Sequence, residues 1–362
     1  MRSSCDWRSA AAATFLAALI LYGSLYPFRF HPVYFPHGLL RAFLATAYGR
    51  VDRGDVISNI LLYLPLGYFA VRVWPVAPAP VRVMAMIIAG AILSTSIELA
   101  QFYDLGRGPS FFDAASNTAG MAIGAVAGAI STRFSVAGML LAAWFGARLL
   151  PYVPALDPAK YAAALRELTA PIEPVEAFRS CAMWLAAAAL FESLLQKSAA
   201  RALVIGIIAV FSARIFIAGA FLSSSEIAGA GIAAILWIGY VSRLERRAAA
   251  VCCVLIAALA LEALTFPFTP YSRRFAWVPF RDLMSGPREA GSRVFLEKAF
   301  EYGALLWFAC RAGFSLPIAA ISAFLLVLGL RMAQFYFARR PAGFTDAIIV
   351  LIFGVFIALF PD

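Results

Sequence analysis

The chain is poor in charge. Asp, Glu, Lys and Arg supply 14% of its 362 residues, against about 25% in soluble domains. Histidine is scarcer still, with only His31 and His37. The five cysteines are Cys5, Cys181, Cys252, Cys253 and Cys310. No Cys-x-x-Cys spacing and no Cys/His cluster occurs, which removes the usual zinc architectures. Four of the cysteines lie in or beside apolar runs and read as buried thiols rather than disulfides. There is no Walker A loop and no dinucleotide fingerprint, so no cofactor and no bound metal is expected. Period-2 alternation is missing too, which excludes the strands of a membrane barrel.

What remains is apolar. Hydrophobic residues make up 63% of the chain, and the mean hydropathy is +0.83. They fall in blocks of about 17–24 residues, the length that crosses a ~30 Å hydrocarbon core. In lipid every backbone amide needs an internal partner, so these blocks must be helices. The expected fold is therefore all-α: a polytopic transmembrane helical protein with about twelve spans. They lie near 9–26, 56–74, 82–103, 112–132, 135–153, 177–195, 199–222, 226–242, 248–266, 294–311, 316–337 and 346–360. The first of them follows MRSSCDWR and resembles a signal peptide, but no small-x-small cleavage site precedes a soluble domain, so it reads as an uncleaved span. The formal charge of +10 would raise nucleic acid as a partner for a soluble protein. Here arginines sit in short loops and at helix ends, as in proteins that face anionic lipid. Membrane lipids are the expected partners, and nucleic acid is not.

Three longer loops interrupt the pattern, at about 27–55, 154–176 and 267–293, with short interfacial helices expected at Leu39 to Ala47, Tyr161 to Leu168 and Phe280 to Met284. Each loop follows a Pro/aromatic exit: LYPFRFHP from Leu25, LLPYVPALDP from Leu149 and LTFPFTPYS from Leu264. ELAQFYDLGRGPSFFDAASNTAG from Glu98 aligns without a gap on RMAQFYFARRPAGFTDAIIVLIFG from Arg331, pairing Gln101 with Gln334, Arg107 with Arg340 and Asp113 with Asp346. The middle copy keeps only Arg214 and Glu226 as counterparts. Three tandem four-helix units follow, at 1–133, 134–245 and 246–362. Short loops carrying Arg72/Arg82, Lys197/Arg201 and Arg243/Arg246/Arg247 put both termini in the cytoplasm by the positive-inside rule, and the long loops outside.

Within the first unit, polar residues gather at helix ends that should meet at one depth. Asp55 and Asn59 open the second span. Glu98 and Gln101 close the third on one face. Arg107 lies in the connecting loop, and Asp113 and Asn117 open the fourth span. Charges in the slab cost about 2.5–3.5 kcal/mol each unless paired or near the interface. The expectation is that Glu98 and Asp113 share Arg107 while Asn59 and Gln101 complete a hydrogen-bond network. Such a cluster reads either as a structural clasp or as a pocket for a headgroup or glycan. Asp113 also suits a helix-capping position. Gly120, Gly124 and Gly128 form a small-residue packing face, and Pro65 with Gly67 should loosen the second span. Charges inside other spans, Arg148, Arg179, Glu192, Arg214 and Glu262, are expected to snorkel or to pair between helices.

The ordered pattern Asp55-x-x-x-Asn59-ILLYLPLG, then IELAQFY from Ile97, then Arg107, then Asp113-x-x-x-Asn117-TAG is similar to the VanZ-like family over residues ~50–128. The resemblance implies a bacterial inner-membrane protein with a role in the cell envelope; the family's namesake is associated with low-level resistance to the glycopeptide teicoplanin. It supplies no reaction. The reading that follows is binding of a lipid headgroup, a lipid-linked cell-wall precursor or a glycopeptide-like ligand at the polar cluster. The alternatives are a membrane-embedded enzyme using Glu98 or Asp113 as acid/base on a glycan or phosphate, and a lipid or solute transporter. The third unit departs from the pattern: Lys298 falls near the place of Asn59, Arg331 replaces Glu98, and no Asn follows Asp346 at +4. It is expected to pair Arg331 with Glu297 or Glu301.

Overall fold

A computed structural model describes residues 5–49, 52–105, 107–131, 134–265, 275–281, 288–336 and 342–361. It is an all-α, multi-pass membrane fold. Its long helices are α1 (Trp7–Leu25), α3 (Arg53–Ala70), α4 (Ala79–Gln101), α5 (Phe111–Ile130), α6 (Val136–Leu149), α8 (Pro174–Leu195), α9 (Ala199–Phe216), α10 (Ser224–Gly239), α11 (Arg247–Leu264), α12 (Arg288–Arg311), α13 (Leu316–Tyr336) and α14 (Thr345–Leu359). Two short helices, α2 (Leu39–Ala45) and α7 (Pro158–Arg166), lie in the first two long loops where interfacial segments were expected. The third, at Phe280 to Met284, falls largely outside the described residues.

Among the described residues, six segments are long and apolar enough to cross a membrane by length and composition. One of these, Pro174–Phe216, runs 43 residues. As one helix it would rise roughly 65 Å, about twice the hydrocarbon core. The backbone breaks it instead at Gln196, whose φ is 48°, and α8 and α9 pack on each other as separate spans. Helices α6 and α14 are shorter, at 14 and 15 residues. Helices α3, α5 and α12 hold the polar and charged residues treated below, which dilute their apolar runs.

The chain divides into two compact units, Met1–Phe134 and Ser135–Asp362. In the first, α3 and α5 run parallel with their backbones in direct contact. A Cβ at Gly120 would meet the Ile60 carbonyl oxygen at 2.3 Å, one at Gly124 the Leu64 oxygen at 2.0 Å, and one at Gly128 the Tyr68 oxygen at 2.3 Å. Gly67 answers from α3 against Met121. Gly67 therefore serves close approach, and α3 continues unbroken through Pro65. α4 runs antiparallel to α5, with Gly90 seated on the Met121 side chain. α1 closes the bundle around Ile20, Tyr63, Leu66, Ile97 and Met121.

The second unit is built on aromatics. Trp144 stacks on Phe300 with centroids 4.6 Å apart and meets Trp184 edge-on at 5.8 Å. The in-span charges Arg148, Arg179, Glu192, Arg214 and Glu262 all have ionic partners. Arg148 and Arg214 share Glu226, Arg179 holds Glu262 and Glu301, and Arg247 holds Glu192. Arg331 and Lys298 both hold Asp346, and Arg331 also donates to the Tyr302 hydroxyl at 2.8 Å. The expected ion pair of Arg331 with Glu297 or Glu301 is thus replaced by one with Asp346, because Arg179 has taken Glu301. Arg340, aligned with Arg107 in the repeat, lies outside the described residues. Cys181, Cys252, Cys253 and Cys310 carry free thiols.

Candidate functional site

The site of the first unit is assembled by register. Gly90 opposes Met121 across the antiparallel α4–α5 pair. One turn further along each chain the Asn117 amide donates to Ser94 Oγ at 2.9 Å, and one more turn brings Glu98 to the level of Asp113. Glu98 Oε2 accepts the Ser110 backbone N–H at 2.8 Å. On the parallel partner α3, Ile60 lies against Gly120, so Asp55, Ser58 and Asn59 open their helix beside the start of α5. The three helix ends meet on the side of the long loops. Glu98 is 3% exposed and Asp113 7% exposed.

Ser110, rather than Asp113, caps α5: its hydroxyl oxygen accepts the N–H groups of Phe112 and Asp113. In a capping box the acid three residues into the helix takes the N–H of the cap residue. Here Glu98 takes that N–H from a neighbouring helix, which couples α4 to the dipole of α5. Thr46, after α2, adds a further tie. Its hydroxyl accepts the Phe111 N–H at 2.8 Å and donates to Phe43 O at 2.6 Å.

Arg107 and Gln101 hold α1. Arg107 donates to the carbonyls of Tyr26 at 2.9 Å and Gly23 at 2.8 Å, and Gln101 Nε2 donates to Ser24 O at 2.9 Å. These are the orphan carbonyls at a helix C-terminus, where a cation is most favourable. Asp104 accepts the Arg29 N–H at 3.1 Å and pins the loop from its other side.

The helices α3, α4 and α5 also carry buried polar atoms with no hydrogen-bond partner among the described residues: Ser58 Oγ, Asn59 Nδ2, Tyr63 OH, Gln101 Oε1 and Asn117 Oδ1. Tyr63 is fully buried. Its hydroxyl borders Ser94 and Glu98 without reaching hydrogen-bonding geometry. Buried polar groups left unpaired cost about 1–3 kcal/mol each, and native interiors hold few of them. Two of the five, Tyr63 and Asn117, come together at Ser94. Tyr63, Ser58, Ser94, Ser110 and Thr46 were missed in the sequence because a lone hydroxyl on an apolar helix carries no spacing signal. The capping pattern Ser-x-x-Asp at Ser110 to Asp113 was the one cue that could have found a member.

Residues 5–132 match the protein family described as VanZ/LLP1. Comparison with curated proteins gives no match, and comparison with solved structures gives none. The matched stretch covers α1 through α5 and contains the whole polar cluster. The first unit of this multi-pass membrane protein is a VanZ-family domain.

Proposed function

We propose that the VanZ-family domain binds a lipid headgroup, a lipid-linked cell-wall precursor or a glycopeptide-like ligand where α3, α4 and α5 meet on the long-loop side. The observation that carries this reading is the set of five unpartnered buried atoms. They offer an amide donor, two carbonyl acceptors and two hydroxyls. Beside them stand the carboxylates of Glu98 and Asp113. Neutral donors and acceptors in that mixture suit a headgroup rich in hydroxyls and amides better than a bare phosphate. Binding fits better than turnover because Glu98 is already engaged in accepting a backbone N–H. A bacterial inner-membrane location follows from the same reading.

Tyr63→Phe tests it. Removing a hydroxyl that has no partner leaves a purely structural clasp as stable as before, or more stable. A binding site loses a contact. The variant should therefore melt at or above the wild-type temperature in detergent and yet lower survival in an envelope-antibiotic assay. Glu98→Gln combined with Asp113→Asn should lower it further. Full activity of both variants removes the proposal.

A further inference from the structure

The second unit holds a cavity of about 430 Å³, within the size range of small-ligand sites. It opens where the chain repeats the local frame of the first site. In the first unit His31 N–H bonds Tyr103 O and Leu105 N–H bonds Arg29 O; in the second, Ala155 N–H bonds Phe216 O and Ala218 N–H bonds Val153 O. Ser223 caps α10 as Ser110 caps α5, and Glu226 stands three residues in, as Asp113 does. The frame is shared, but the chemistry is not. Glu226 and Arg214 line the floor, and two further cations stand behind them outside the lining, Arg148 against the Glu226 carboxylate and Lys160 against the Arg214 carbonyl. Both arginines pair with that single carboxylate. The Lys160 ammonium donates to Arg214 O and Ile215 O at 2.7 Å each, at the C-terminal end of α9. Burial, and then the neighbouring Arg214, hold Lys160 below its ordinary pKa. Two arginines against one carboxylate leave one positive charge in surplus behind the floor. The wall toward the long loop is the reverse: Glu167, Glu173 and Glu176 line it and are exposed, with Glu176 accepting from the Ser223 hydroxyl at 2.8 Å.

We propose that this cavity binds a phosphate–ammonium zwitterion of the phosphoethanolamine kind, with the phosphate toward Arg214 on the floor and the ammonium among Glu167, Glu173 and Glu176 at the rim. A simple anion would be repelled by three rim carboxylates, and a simple cation would leave the floor uncompensated. A ligand carrying both charges a few bonds apart answers both. A primary ammonium has N–H groups for the carboxylates, whereas a quaternary one has none. This site lies in the second unit and does not depend on the reading given for the first.

The test uses the full-length protein in nanodiscs of phosphatidylethanolamine, phosphatidylglycerol or phosphatidylcholine, followed by native mass spectrometry of retained lipid, with soluble glycerophosphoethanolamine as competitor. Phosphatidylethanolamine should be retained in preference to the other two. Displacement by the soluble compound identifies a water-borne ligand of the same chemistry, and retention without displacement identifies the lipid. The variant Glu167→Gln/Glu173→Gln/Glu176→Gln changes only exposed side chains, so it should fold, and it should lose roughly tenfold in retention. Arg214→Gln should lose at least as much, while Tyr63→Phe in the first unit should leave retention unchanged. Equal retention of all three lipids, or an unaltered triple variant, overturns the proposal.

Discussion

Gly124→Ala asks whether α3 and α5 are held backbone to backbone. The added Cβ would lie 2.0 Å from the Leu64 carbonyl oxygen and 2.9 Å from the Tyr68 nitrogen, whereas a comfortable carbon–oxygen contact is about 3.3 Å. Both obstacles are main chain in mid-helix, so no rotamer change relieves them. The two helices must separate by about 1 Å. A gap of that size forfeits about a quarter to a half of each dispersion contact along the pair. It also lengthens the neighbouring approaches at Gly120 and Gly128. Each of these places a glycine hydrogen toward a carbonyl oxygen, a contact worth about 0.5–1 kcal/mol. Overpacking of this kind costs about 1–3 kcal/mol, and with the lost approaches the total reaches about 3–4 kcal/mol. Alanine returns about 1 kcal/mol of helix propensity. The net expectation is a loss of about 2–3 kcal/mol. The control is Gly23→Ala in α1, where a Cβ meets nothing within 4 Å, so only the propensity gain should register. Both variants are to be purified in the same mild detergent and compared by thermal melting and by SDS titration. If Gly124→Ala melts with or above Gly23→Ala, the glycines are not in close contact and the packing argument is wrong.

Three further substitutions follow from the contacts. Arg107→Ala removes the donors to Gly23 O and Tyr26 O and should cost about 1.5–3 kcal/mol, read as faster hydrogen exchange at the end of α1; unchanged exchange there would show that the cap is idle. Asp346→Asn leaves Lys298 and Arg331 without their shared carboxylate and should destabilise the second unit by about 3–5 kcal/mol. Replacing Lys298, Arg331 and Asp346 together by apolar residues of similar volume should recover much of that loss, and failure to recover would mean that the charges do more than satisfy one another. Ser110→Ala removes the cap of α5 and should cost about 1 kcal/mol, seen as a small drop in melting temperature with Glu98→Gln no longer additive to it.

Much of this architecture is legible in the residues. Apolar blocks of spanning length mark the helices because lipid leaves the backbone no alternative, and the spacing of Gly120, Gly124 and Gly128 announces close packing. That the end of α4 bearing Glu98 comes level with the start of α5 follows from helix direction alone. What resists reading is which partner each polar group chooses. Arg107 also donates to the orphan carbonyls of α1, and no pattern in the sequence records where a distant helix ends. Arg331 similarly faced several carboxylates; Arg179 settled the matter by occupying Glu301, which is a fact of packing between helices far apart in the chain. Tyr63 and Ser94 were invisible because a hydroxyl in an apolar run looks the same whether it faces lipid, a backbone carbonyl or a cluster of amides.

The contact between α3 and α5 also bears on how such a unit can change its chemistry. Where two spans touch through main-chain atoms, their spacing and stagger belong to the glycines and are indifferent to what the neighbouring positions carry. Side chains at the mouths of those spans can then be exchanged, acid for amide or large for small, without resetting the mount that presents them. A rail of bare backbone thus keeps the geometry of the opening separate from its specificity.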